Sequence, residues 1–146
     1  MDTKEQELTL PTPYLDPSTT EALYNVAYEY FRQGQYHEAI QLFRFLTMLH
    51  PMDKLYWNGL ANSLQENEQF KDAIEAYALS AFIDPESPSP YFHAAGCYLS
   101  LGAMSDAMKS LLQAKEKTTE NPLLLKQISL LQQAWKPKRS KSKDPS

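Results

Sequence analysis

TEALYNVAYEYFRQG, residues 20–34, reads as one helix with two apolar faces. Leu23, Val26, Ala27 and Tyr30 fall three and four residues apart, the spacing of a buried stripe. Tyr24, Tyr28 and Phe31 recur at the same spacing on a second face. Packing one helix against its neighbours does not call for three large aromatics on a second side. The first face is therefore read as the one that builds the fold, and the second as part of a groove wall.

Outward from this helix the chain repeats. Ala27, Ala61 and Ala95 lie 34 residues apart, as do Ala39, Ala73 and Ala107. Phe43, Tyr77 and Leu111 keep the same interval, and so do Pro51 and Pro85. Small residues at two fixed places, a bulky one at a third and a closing proline resemble the tetratricopeptide repeat, a pair of antiparallel helices. The alanines mark places where paired helices cross too closely for a larger side chain. Trp57 and Tyr91, with Phe43 and Tyr77, fill the space between crossings. The proline, which has no N–H to donate, ends the second helix of the pair.

The predicted fold is all-α: three repeats over 20–53, 54–87 and 88–121, and a capping helix over 122–135. That helix covers the open end of the array with Leu124, Ile128, Leu131 and Trp135 on one face. Asn121 and Pro122 supply its N-cap and first position. Residues 18–135 make one repeat domain, and Ser18 with Glu21 matches a capping box at its start. Gly34 and Gly102 sit at turns where a left-handed residue is useful; Glu68 holds that place in the second repeat, which predicts a different turn there. Residues 1–17, with Pro11, Pro13 and Pro17, read as an extended arm. Residues 136–146 read as a disordered basic tail.

The chain totals exclude several functions. Five basic side chains and one aspartate in the tail leave −8 on the remainder of a chain whose net charge is −4. An acidic body argues against nucleic-acid binding. No apolar run reaches the roughly 20 residues of a membrane span, and the first ten residues do not read as a secretory signal. One cysteine, Cys97, permits no internal disulfide and fits a reducing compartment. His37, His50 and His93 are scattered, no glycine-rich phosphate loop is present, and no cofactor, metal site or enzyme activity is expected.

The first helices of stacked pairs line the inner wall. The repeat frame places Glu21, Tyr24, Tyr28, Phe31 and Arg32 there from the first repeat. Leu55, Asn58, Asn62, Gln65 and Glu66 follow from the second, then Ser89, Phe92, Gly96, Ser100 and Leu101 from the third. One end is aromatic, while the middle offers amides able to donate to and accept from a peptide backbone. Gly96 either leaves room for a ligand or relieves packing against the next repeat. Together these side chains suit an extended peptide with a few apolar anchors.

LYNVAYEYFRQGQYHEA, YWNGLANSLQ and PYFHAAGCYLSLG resemble the class II chaperones of type III secretion, the LcrH/SycD group. The resemblance runs from Leu23 to Ala114, and its specific parts are the LYxxAY start and Phe92–Ala95. It implies a protein of the bacterial cytoplasm that binds hydrophobic translocators before export and holds a proline- and leucine-anchored segment in the groove. It adds Tyr36 to Tyr24, Tyr28 and Phe31 as first-repeat aromatics of the site. It also allows contact with a secretion gatekeeper and a homodimer, with no membrane insertion. Gly96 departs from the family, where an acidic residue is frequent, and the N-terminal region is short. The rival reading is a general tetratricopeptide adaptor for a folded partner.

Overall fold

Each 34-residue unit holds two helix-periodic apolar runs with a turn between them, and each folds as two helices. The computed structural model describes residues 15–118 and 121–134, with seven helices and no strand among them. They are α1 (Pro17–Arg32), α2 (Tyr36–Leu49), α3 (Lys54–Glu66), α4 (Phe70–Ile83), α5 (Ser89–Ser100), α6 (Met104–Glu116) and α7 (Pro122–Ala134). Each helix packs against the next along the chain, and α1 also touches α3. Residues 1–14 of the predicted arm, residues 119–120, Trp135 and the basic tail lie outside the described residues.

The repeat positions form the core. Ala27, Ala39, Ala61, Ala73, Ala95 and Ala107 are all fully buried. A methyl group is the largest side chain that such close crossings admit. Phe43, Tyr77 and Leu111 are no more than 2% exposed. The second helices of the first two repeats end at Leu49 and Ile83, two residues before Pro51 and Pro85. Asn121 caps α7 by accepting from the Leu124 N–H at 3.0 Å. Ile128 of α7 is fully buried with Ala95, Leu111 and Ala114, and Leu124 and Leu131 pack alongside. No described helix is long and apolar enough to cross a membrane.

Three local expectations are corrected. The N-cap of α1 is Asp16, not Ser18: its carboxylate accepts from the Thr19 N–H at 3.2 Å and from the Thr19 and Ser18 hydroxyls. Pro17, with φ already helical and no N–H to satisfy, takes the first position. Val26 is 47% exposed despite its place in the apolar stripe, because it faces away from the interior that buries Ala27.

The turn at Glu68 does not differ from the other two. Glu68 has φ +61°, beside +78° at Gly34 and +76° at Gly102. The hydrogen bonds repeat as well. The residue after the turn donates to the carbonyl five back: Gln35 to Tyr30, Gln69 to Leu64 and Ala103 to Tyr98, at 2.8–2.9 Å. The stacking of the pairs fixes the turn, and the glutamate accepts a left-handed backbone to meet it.

Candidate peptide groove

The first-repeat aromatics form a continuous ladder. Ring centroids are 6.1 Å apart from Tyr24 to Tyr28, 6.2 Å from Tyr28 to Phe31 and 5.6 Å from Phe31 to Tyr36. Helical spacing sets the first two steps, and the tight turn at Gly34 brings Tyr36 of α2 beside Phe31. The rungs differ in burial. Tyr24 is half-buried, 6.0 Å from Phe43 and 5.9 Å from Tyr56, and helps to wall the core. Tyr28 is 49% exposed.

Beside Tyr24 a cleft of about 400 Å³ opens, lined by Leu15, Thr20, Glu21, Leu55, Tyr56 and His50 among others. Leu55 is 46% exposed at its edge. The Thr20 hydroxyl is buried there with no hydrogen-bond partner among the described residues. Burial first, with the negative charge of Asp53 adding to it, raises the pKa of both Tyr56 and Tyr24, so both phenols keep their protons.

The second repeat builds a polar stretch. Asn58, Asn62 and Gln65 lie on α3, each half-buried. Hydroxyls from α4 reach up between the helices to meet them. Tyr77 Oη is 2.5 Å from Asn62 Oδ1 and 2.7 Å from Gln65 Oε1. Ser80 Oγ donates to Asn58 Oδ1 at 2.5 Å. The amides are thus oriented from beneath, where the sequence suggested they stood free to donate and accept. Burial holds the Tyr77 phenol far above its ordinary acidity range.

His93 of α5 stacks on Tyr77, centroids 5.4 Å apart and planes 12° from parallel, and burial lowers its pKa. Cys97, fully buried, has its thiol pushed up to about 11 by the same cause and stays protonated.

The third repeat contributes least. Phe92 packs partly against the Ala95, Leu111 and Ile128 cluster, apart from the aromatic ladder. A Cβ on Gly96 would meet Gln65 Nε2 at 3.4 Å, an ordinary contact. Crowding by a neighbouring repeat therefore does not account for the glycine. Gly59 is the opposite case: a Cβ there would stand 2.3 Å from the Phe43 ring.

Sequence reasoning missed Tyr56, Ser80 and the polar role of Tyr77. The signal for Tyr77 was available, since its repeat equivalents Phe43 and Leu111 lack a hydroxyl. Among the described residues no group of three His, Cys, Asp or Glu side chains could hold a metal ion.

The tetratricopeptide repeat model matches residues 24–88 and 58–122. The chain is 32% identical over 108 residues to the low calcium response locus protein H of Yersinia pseudotuberculosis, covering 74% of this chain and 64% of that protein. It is 30% identical over 112 residues to the chaperone protein SicA of Salmonella typhimurium, covering 77% and 68%. The structure of PcrH, a Pseudomonas aeruginosa protein, in complex with the chaperone-binding region of PopD superposes with a TM-score of 0.78 at 28% identity, covering 82% of this chain and 92% of that one.

Proposed function

The chain belongs to the tetratricopeptide-repeat proteins and, among them, to the class II chaperones of type III secretion, and from that premise we propose that it holds an extended apolar segment of a translocator in its groove. The observation that carries the reading is the half-open aromatic ladder at Tyr24, Tyr28 and Phe31 beside the cleft at Leu55. Covering such a segment keeps a membrane-active client from pairing with itself before export, in the cytoplasm of a Gram-negative bacterium. The work is occupancy, with no bond made or broken, so the protein is not an enzyme. Burying one leucine or proline anchor contributes roughly 1.5–3 kcal/mol, offset by the ordering of a flexible client.

The test is co-expression with the translocators of the same secretion system, scoring soluble client. Tyr28→Ala, whose ring is half exposed, is expected to keep the fold and lose most of the rescue; adding Tyr24→Ala completes the loss. Full rescue by a folded double variant refutes the groove.

One observation favours a second reading. Phe45 and Leu79, and Met48 and Phe82, are 34-residue equivalents on α2 and α4, and all four are exposed, Met48 by 78% and Phe82 by 73%. A folded partner such as a secretion gatekeeper could dock on that stripe. Binding of that kind would survive Tyr28→Ala and fail in Met48→Ser with Phe82→Ser.

A further inference from the structure

A count of protons in the second repeat leads beyond the general groove. The Tyr77 oxygen lies within hydrogen-bond distance of both the Asn62 and the Gln65 side-chain amides. A phenol carries one proton, so it donates to one amide oxygen only. The second contact is made as a hydrogen bond when the other amide turns its N–H toward the phenolic oxygen. The two amides are then held in opposite senses. The first has its carbonyl occupied and presents N–H; the second has an N–H occupied and presents its carbonyl. Because Tyr77 is 2% exposed and its acidity is strongly suppressed, the proton that enforces this is present at every pH the protein meets.

The geometry points to Tyr77 as a positioning residue that sets Asn62 and Gln65 as a complementary donor and acceptor pair, reading the backbone N–H and C=O of one client residue. This rests on the proposed function. It adds that the middle of the groove recognises extended main chain, whatever the side chain. The residues are placed for it. Asn62 and Gln65 are one helical turn apart on α3, both half-buried, and Gly96 on α5 carries no side chain beside Gln65. An extended residue directs its N–H and C=O to the same edge of the chain, where two neighbouring amides on one helix can meet them. Ser80, which donates to Asn58 Oδ1, leaves the Asn58 N–H₂ as a further donor along the same row.

The test uses the full chain and overlapping 12-residue peptides spanning the translocators of the same secretion system, the tightest binder being carried forward. If none binds wild type, the proposed function itself fails. With a binder in hand, each backbone N–H is methylated in turn. One position is expected to lose about tenfold or more in affinity, the scale of one hydrogen bond lost against a group left unpaired. In Tyr77→Phe the unmethylated peptide binds more weakly, and the penalty at that position falls below about threefold. An unchanged methylation profile in a folded Tyr77→Phe overturns the proposal, even though the peptide binds.

A second measurement needs no variant at Tyr77. In ¹H–¹⁵N spectra of wild type, peptide addition is expected to shift the side-chain NH₂ of one of Asn62 and Gln65 strongly and leave the other near its free position. Equal response of both overturns the proposal.

Discussion

The first two repeats share a frame and differ at nearly every inner-wall position. Ala27 and Ala61, Ala39 and Ala73, and Phe43 and Tyr77 occupy the same buried places in each. Yet Tyr24 and Tyr28 of the first stand where the second has Asn58 and Asn62, 34 residues on. Close helix crossings constrain side chains that meet other helices, and leave those facing the groove free to vary. The same scaffold therefore presents an aromatic wall that can take up side chains and an amide wall that can bond to main chain.

The largest expected effect tests this division. Tyr28→Ala should weaken a leucine-anchored client peptide roughly tenfold to hundredfold, the value of one buried anchor. The same change should cost little for a peptide whose anchor is alanine. Isothermal titration of the two peptides checks it. An equal loss for both would mean that Tyr28 does not contact the anchor.

A second effect probes where the frames part company. Gly59 and Asn25 are repeat equivalents, but a Cβ on Gly59 would press on Phe43 at 2.3 Å, whereas Asn25 is exposed. Gly59→Ala should lower stability by about 1–3 kcal/mol through overpacking, while Asn25→Ala should stay within about 0.5 kcal/mol of wild type. Urea unfolding of both variants gives the comparison.

The fold was legible because its signal is periodic. Six alanines at two phases of a 34-residue interval require repeated close crossings wherever they occur, and all six prove fully buried. Asn121–Pro122 was legible because capping chemistry is local. What stayed hidden depended on neighbours remote in sequence. The Tyr77 hydroxyl reaches Gln65 and Asn62, 12 and 15 residues away, and no spacing rule announces such a bond. The turn at Glu68 was misread for a related reason: residue preference pointed away from a left-handed backbone, and packing of the pairs overrode it. The candidate groove residues other than Tyr36, which came from the resemblance, were nameable from the repeat frame, but not which of them lean on the core, as Tyr24 and Phe92 do.

That turn supplies a smaller test. A non-glycine residue in the left-handed region costs roughly 1–2 kcal/mol, and glycine returns part of this through its freer unfolded chain. Glu68→Gly should therefore raise stability by about 0.5–1 kcal/mol, and Gly34→Glu should lower it by a similar amount. The pair of variants, unfolded in urea, shows whether the two repeats truly share one turn.

The smallest expected effect concerns pH, and it separates the amide wall from the aromatic one. His93 stacks on Tyr77 beneath the amides, and burial lowers its pKa from the ordinary 6.5. The unfolded chain therefore takes up this proton first as pH falls. The contribution to stability is full above pH 6.5, declines as pH drops below it, and is lost as pH passes through the folded value. His37, which lies outside this stack, is the control position for substitution. Thermal unfolding should show a drop between pH 7.5 and 5.5, of about a few degrees at most, that shrinks in His93→Gln and persists in His37→Gln. The titration of His93 itself, followed by NMR, should fall below 6.5 in the free protein. In Tyr28→Ala that titration should be unchanged, because the ring neighbours of Tyr28 are Tyr24 and Phe31, while His93 stacks on Tyr77. If Tyr28→Ala moves it, the two walls are coupled through the core, and the inner surface acts as one site in place of two.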